Sequence, residues 1–508
     1  LLKKILSVGA WTLVSRVTGF ARDVFTAAIL GTGPMADAFV VAFRLPNNFR
    51  AIFGEGAFSN SFVPAYTRIE EQAGRSAAAE FQGRIASLLL VSTLAVTLAA
   101  ILFMPQVVSV LAPGFGNEAG QFDLAVTLTR ITFPYLPLIT LATLYGAVLN
   151  AAGRFTAFAA APILLNLVWI AALLAAPLFP SPAHAVAWGV TISGAAQLGV
   201  VWWAARRARL LARLRAIRLD PELRRFFRSL GPALIGSMGV QIAMFADTII
   251  ASTLPSGAVS SLFYADRIYQ LPYGVIAIAA GTVLLPEMSR FIAAGEPDKA
   301  HAAQNRAMLL IWFMAAPFFA AFLTVPELIM QAFFARGAFT SASAEAAGAA
   351  LLAYGVGLPA IVLIRSAVAS FYARGDTATP LWASLTAIAV NVGFKIVLMG
   401  PLQQAGLALA TSIGAWVNLG ILMVLAVRSG RMVPDRRLLN ALGGLTVATA
   451  LMGAAMVLAE ALADPYVAGV SRQLREPAKL VLVGLAGGAV YGLAALVLFK
   501  ALGMRLRR

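Results

Sequence analysis

The 508-residue chain has no cysteine, only two histidines, and only 22 acidic residues against 39 basic ones. Without cysteine there is no disulfide framework, no thiolate nucleophile and no zinc-thiolate site. His184 and His301 fall in loops on opposite sides of the membrane topology derived below, and no H-E-x-x-H motif occurs, so a histidine metal centre has no basis. No G-x-x-x-x-G-K-[ST] loop is present, which removes the phosphate cradle of an ATP hydrolase. The apolar segments hold no carboxylate pair of the metal-binding sort, which a phosphate-processing membrane enzyme generally needs. Charge as a whole is scarce, at 12% of residues against about 25% in a soluble domain. These absences point away from catalysis.

What the chain has is apolar length. It is 60% hydrophobic with a mean hydropathy of +0.83, and it contains many continuous apolar runs near the roughly 20 residues that span a bilayer. The runs do not alternate in polarity, which excludes an outer-membrane barrel. The reading is an all-α polytopic membrane protein with fourteen transmembrane helices. Their limits are 5–30, 36–64, 85–111, 124–150, 155–178, 184–205, 227–254, 258–286, 307–334, 345–372, 378–399, 404–427, 438–461 and 478–500. The first run is too long, and too charged in its middle, for a cleaved signal peptide. With the N-terminus inside, the large majority of the basic residues fall in inner loops, while the outer loops hold Arg336, Arg472, Arg475 and Lys479. This asymmetry predicts that both termini are cytoplasmic. It also explains the net charge of +17 without nucleic acid as a partner.

The densest basic stretch, 206–228 (RRARLLARLRAIRLDPELRRFFR), has leucines at helical spacing. It reads as an amphipathic anchor on anionic lipid, with a partner-binding helix as the alternative. It also divides the chain near its middle. DVFTAAILGTGPMADAF from Asp23 matches DTIIASTLPSGAVSSLF from Asp247, PAYTR at Pro64 matches PEMSR at Pro286, and AAGR with Gly153 matches ARGD with Gly375, all at offsets of 222 to 224. Equivalent points are six spans apart, an even number, so the repeats run parallel. The expected organisation is an N-lobe over 1–205, a basic cytoplasmic linker over 206–226, a C-lobe over 227–428 and two further helices over 429–508. Transporters place their sites between such repeats.

Eight basic residues remain at membrane depth: Arg16, Arg22, Arg44, Arg50, Arg130, Arg267, Arg365 and Lys395. A charge at the bilayer centre costs on the order of 2.5 to 3.5 kcal/mol. At 100° per residue, Arg16 and Asp23 share one face of the first span, and Asp37 and Arg44 repeat that relation on the second. Pairing within the set, such as Arg16 with Asp37 or Arg267 with Asp266, accounts for individual residues. It does not account for the whole set, because basic residues outnumber the acids Asp23, Asp37, Glu55, Asp247 and Asp266. A cavity with excess arginine suits an anion, since guanidinium is permanently charged and offers a fork to phosphate oxygens. RLPNNFRAIFGEGAFSNSFVP is expected to break span 2 at Pro46, Gly54 and Gly56, and RIYQLPYG to break span 8 at Pro272 and Gly274. Broken helices at corresponding places mark a site or a hinge, although simple kinks are common in membrane helices.

SRVTGFARD, ADAFVVAFRLPNNFRAIFGEGAFSNSFVP, FYADRIYQLPYGVIAIAAGTVLLP and FYARGDTATP resemble the MurJ (MviN) family of bacterial lipid II flippases, in the MOP exporter superfamily with the MATE drug exporters. The resemblance covers nearly the whole chain. It implies two six-helix lobes around a central cavity, a lipid-facing groove formed by the last two helices, residence in the bacterial inner membrane and no enzymatic activity. The implied cargo is lipid II, a polyprenyl diphosphate carrying a disaccharide-pentapeptide, and cell-wall synthesis proteins are possible partners. The family's cavity arginines match Arg16, Arg22, Arg50 and Arg267; its cavity and gate acids match Asp23 and Asp37; Ser15, Glu55 and Ser260 match further cavity or gate positions. Some members bind sodium, and Asp247, Asn391 and Thr411 match that site, but Lys395 stands where those members have an aspartate. The expectation is therefore no bound cofactor, with Lys395 replacing the ion and pairing with Asp247, and drive from membrane potential or protons. The G-x-x-x-G-x-x-x-G ladder at Gly484, Gly488 and Gly492 reads as close packing on span 13, with a smooth bed for the polyprenyl tail as the alternative. A flippase for another polyprenyl-linked glycan, a small-molecule antiporter and a non-transporting scaffold are the rival readings.

Overall fold

The computed structural model describes the backbone of residues 2–54, 57–218 and 220–502, and the side chains of these except 2–8, 51–54, 57, 233, 235–240, 242, 277–280 and 282. The chain is helical with no strand among the described residues. It forms two compact units, Leu1–Gly257 and Ala258–Arg508.

Unit 1 contains α1 (Leu2–Leu30), α2 (Pro34–Gly54), α3 (Ala57–Leu102), α4 (Met104–Leu111), α5 (Gln121–Thr132), α6 (Tyr135–Ala151), α7 (Thr156–Leu174), α8 (Pro182–Arg207) and α9 (Pro221–Ser252). Unit 2 contains α10 (Ala258–Ala293), α11 (Pro297–Thr324), α12 (Pro326–Phe334), α13 (Ser341–Tyr372), α14 (Ala378–Arg428), α15 (Arg436–Leu462), α16 (Asp464–Val467) and α17 (Arg475–Ala501). These elements are consistent with fourteen crossings, because helices and spans do not coincide one to one. Non-helical backbone at Gly74 and Gln403 splits α3 and α14 internally, while short breaks at Phe103, Phe133–Pro134 and Val325 interrupt single spans. Among the described residues, nine helices are long and apolar enough to cross a membrane.

Unit 1 is held at one end by an aromatic cluster. Phe62 stacks on Phe58, Tyr66 and Phe81, and Phe226 of α9 packs edge-on against Phe58, Phe62 and Phe81. Arg68 pairs with Glu222 and Arg84 with Asp220 beside it. α9 thus packs with unit 1, whereas the sequence repeat groups span 7 with the second half; duplication and packing divide the chain at different places.

The segment after α8 is not the helix that its leucine spacing predicts. Helix stops at Arg207, and 208–218 continue as turn and irregular chain, with Arg209 at a φ of 57°. Arginines three and four apart would repel along a helix face, and the backbone finds other partners. The Arg215 N–H donates to Gly83 O and Ser87 Oγ, so the segment lies as a strap across α3. A Cβ on Gly83 would sit 2.2 Å from Arg213 O. Gly83→Val is therefore expected to lift the strap and destabilise the fold by about 1–3 kcal/mol, read as a lowered thermal midpoint in detergent.

Unit 2 repeats this arrangement. Gln82-Gly83-Arg84 on α3 corresponds to Gln304-Asn305-Arg306 on α11, at the same offset of 222, and Gln82 and Gln304 are both fully buried. The segment that leaves α14 crosses at the equivalent place, where Asn305 Nδ2 donates to Val433 O. Asp376 fastens the same end by accepting from Arg431 and from the backbone N–H and hydroxyl of Thr379. The Arg431 guanidinium, helped by Thr379, holds the Asp376 carboxyl at about 2, below its ordinary 3.8. A depressed folded value means that the contribution to stability is complete above the unfolded value and fades as pH falls from about 4 to about 2. Asp376→Asn is expected to remove that part of the acid dependence, measured as thermal midpoint against pH.

Two sequence expectations are corrected here. α2 runs unbroken through Pro46, and α10 through Pro272 and Gly274; proline is tolerated in membrane helices because surrounding groups re-satisfy the freed carbonyl. The glycine ladder of α17 does not pack on α15: a Cβ at Gly484, Gly488 or Gly492 would meet nothing within 4 Å. The close approaches between these helices are Gly487 against Met456 and Gly444 against Leu498. The ladder lies on an open face with Leu485 and Val481, both exposed.

Candidate functional site

The charged residues of α1 and α2 do not share one fate. Arg16 is exposed and Ser15 half-buried, whereas Arg22 and Asp23 are 8% and 4% exposed. The arginine that Asp23 holds is its chain neighbour. Arg22 Nε and Nη2 both donate to Asp23 Oδ1, at 2.9 and 2.6 Å. From α7, Asn166 Oδ1 accepts from Arg22 Nη1 at 3.1 Å, and the Trp169 ring lies under the guanidinium at 4.6 Å. Ser15 joins through its carbonyl, which accepts from Asn166 Nδ2.

Arg50 is half-buried and donates to Asn47 Oδ1 at 3.2 Å. The buried Tyr135 hydroxyl, which accepts from Gln197, lies in the field of both Arg50 and Arg22. Arg44 donates to Thr248 Oγ1 of α9 at 2.6 Å. Asp37, 2% exposed in the first turn of α2, accepts from the Gly257 N–H at 2.7 Å. A carboxylate there also faces the positive end of the helix dipole. Glu55 lies outside the described residues.

In unit 2, Ser260 is fully buried in the first turn of α10. Arg267 is half-buried with its guanidinium 4.6 Å over the Phe263 ring, and Asp266 accepts from Gln270. Of the residues matched to a sodium site, Asp247 is half-buried on α9 of unit 1, and the others lie on α14 of unit 2. Lys395 is 1% exposed, one turn beyond Asn391. Asn391 Oδ1 is buried and unpartnered, and Thr411 donates to Leu407 O. A hard cation wants a shell of oxygen ligands, and an ammonium one turn from the amide does not fit that set. Among the described residues, no group of three or more His, Cys, Asp or Glu is placed to hold a metal.

Asn166, Trp169, Tyr135 and Thr248 are site residues that the sequence reading does not name. Each is a polar or aromatic residue in an apolar helix, and spacing alone does not separate it from ordinary packing.

The buried Arg22–Asp23 pair on α1, in a duplicated chain whose described helices include nine long and apolar enough to cross a membrane, marks an integral membrane protein built to hold charge at depth, as a transporter is. A structure described as "Lipid II flippase MurJ, inward closed conformation" aligns with a TM-score of 0.80 at 23% identity, covering 97% of this chain and 99% of that one. An inward-facing MATE-family multidrug transporter aligns at 0.67 and 16% identity, over 84% and 98%. Both likenesses concern the fold. In sequence, the family described as "Lipid II flippase MurJ" matches residues 26–474. The "Probable lipid II flippase MurJ" of Rhizobium meliloti (strain 1021) is 42% identical over 464 residues, 90% of this chain and 86% of its own length. The "Lipid II flippase MurJ" of Burkholderia cenocepacia is 34% identical over 466 residues, 90% and 89%. The chain belongs to the MurJ family.

Proposed function

We propose that this chain carries lipid II from the inner to the outer leaflet of the bacterial cytoplasmic membrane by alternating access. The observation that carries this reading is the buried Arg22 of α1, whose paired Nε–Nη2 edge is the geometry that takes up two oxygens of a phosphate, in a member of the MurJ family. In this reading the arginines matched to the family's cavity, Arg16, Arg22, Arg50 and Arg267, bind the diphosphate, and Asp23 holds Arg22 between cargoes. Asp37, with Ser15, Glu55 and Ser260, serves the cavity and its gate. The open glycine face of α17 suits a polyprenyl chain. The protein acts without enzymatic chemistry. Both termini face the cytoplasm, and the arginines of 206–226 rest on anionic lipid.

We further infer that no sodium is used. The buried Lys395 supplies a fixed positive charge where an ion would bring one, which leaves membrane potential or protons as the drive.

The test is native mass spectrometry of the purified protein with lipid II, bare undecaprenyl diphosphate and a cationic dye, each alone. Lipid II binding that is lost in Arg22→Ala/Arg267→Ala supports the assignment. Equal binding of the bare diphosphate points to another polyprenyl-linked glycan as cargo. Binding of the dye alone replaces the flippase with an antiporter.

A further inference from the structure

Neighbouring residues on a helix point about 100° apart and do not face each other. Arg22 and Asp23 nevertheless pair through two hydrogen bonds, so something must turn the Arg22 side chain. That something is α7. Asn166 and Trp169, three residues apart and so on one face of α7, meet Arg22 at Nη1 and across the face of the guanidinium.

The orientation of Asn166 is over-determined. Its Nδ2 donates to Ser15 O and to Thr18 Oγ1, both at 3.0 Å, and Thr18 Oγ1 has its own hydrogen directed at the carbonyls of Val14 and Ser15. Both partners of Nδ2 are therefore acceptors, and Arg22 only donates, so the amide oxygen must face Arg22. Gly19 admits the amide closely: a Cβ there would lie 3.4 Å from Nδ2. The Trp169 ring is fixed as well. Its indole N–H donates to Thr26 Oγ1 at 3.0 Å, Thr26 donates back to Arg22 O at 2.7 Å, and Phe39 and Phe43 pack edge-on against the ring.

We propose that Asn166 and Trp169 are positioning residues that aim the Nε–Nη2 edge of Arg22, so that a diphosphate exchanges with Asp23 on that edge without the guanidinium turning. This rests on the reading that Arg22 binds the diphosphate. The division of labour follows from charge. The exchangeable partner is a carboxylate, which a phosphate can replace in kind. The two permanent holders are a neutral amide and a π face, which fix the plane without adding a negative charge that would repel the cargo. An acid at position 166 would defeat this arrangement.

The test is a double-mutant cycle on lipid II affinity, with thermal unfolding followed in parallel. Arg22→Lys keeps the charge, and with it measurable binding, but has no fork to aim. Asn166→Ala is expected to weaken lipid II binding about tenfold in the unaltered protein and less than twofold in Arg22→Lys. Trp169→Phe keeps most of the packing and carries the test if Asn166→Ala fails to fold; about a threefold loss is expected, again absent beside Arg22→Lys. Equal losses in both backgrounds make the two residues merely structural and overturn the proposal, as does no loss in the unaltered protein. Failure of the underlying reading looks different: Arg22→Ala would then bind lipid II as tightly as the unaltered protein.

Discussion

Arg22→Ala is expected to lose both lipid II binding and fold stability, and Arg22→Ala/Asp23→Asn to recover only the stability. The two losses have separate causes. Removing the guanidinium takes from the Asp23 carboxylate, 4% exposed, the two hydrogen bonds and the adjacent charge that Arg22 gives it. Breaking a buried ion pair from one side costs about 3–5 kcal/mol, much of it the penalty of the stranded charge. Neutralising Asp23 in the second variant removes that penalty, so the thermal midpoint should return most of the way. Binding should not return. A bidentate, charge-assisted contact to phosphate is worth roughly 1.5–3 kcal/mol per hydrogen bond, so losing it should cost about 100-fold or more in affinity. Thermal unfolding and native mass spectrometry on the three proteins separate the effects. If the double variant regained lipid II affinity along with stability, Arg22 would be a structural cation and the cargo would be held elsewhere.

That separation bears on how much of the site was legible in the sequence. Arg16, Arg22, Asp23 and Asp37 stand out because charge inside a long apolar run is expensive and needs a reason. Helical geometry put Arg16 and Asp23 on one face, but the hydrogen bonds join Asp23 to Arg22. The 100° rule describes backbone directions; a long flexible side chain, turned by Asn166 and Trp169 from another helix, departs from it. Those two were not legible, since an asparagine and a tryptophan in TAFAAAPILLNLVWIAALL carry no signal of what lies opposite. The same limit explains the strap. Leucine spacing over 206–218 is helical, but the arginines between them repel, and Gly83 offers a bare backbone for the chain to cross. The fold class, the long apolar helices and the duplication were legible because hydropathy and repeat register are one-dimensional. The packing of α9 with unit 1 was not, because it depends on Phe226 meeting rings 145 and more residues away in the chain.

Lys395→Asp is expected to give the protein a sodium response that the unaltered chain lacks. Lys395 is 1% exposed within α14, where an uncompensated ammonium costs several kcal/mol, so its charge is integrated into the surroundings. Substituting aspartate removes that cation and adds a carboxylate one turn from the unpartnered Asn391 Oδ1, with Thr411 beyond the Gln403 break of α14. The set then changes from one that repels a cation to one that supplies it with oxygen ligands. An ion that binds only the folded state at about 100 times its Kd stabilises by about 2.7 kcal/mol. Thermal unfolding of Lys395→Asp should therefore rise in sodium chloride relative to choline chloride at equal ionic strength, and the unaltered protein should show no difference. Lys395→Met separates charge from shape: it keeps the length of the side chain, adds no ligand and should remain indifferent to sodium. A sodium-dependent rise in the unaltered protein would mean that the ion binds despite Lys395, and the drive would then be sought in a sodium gradient.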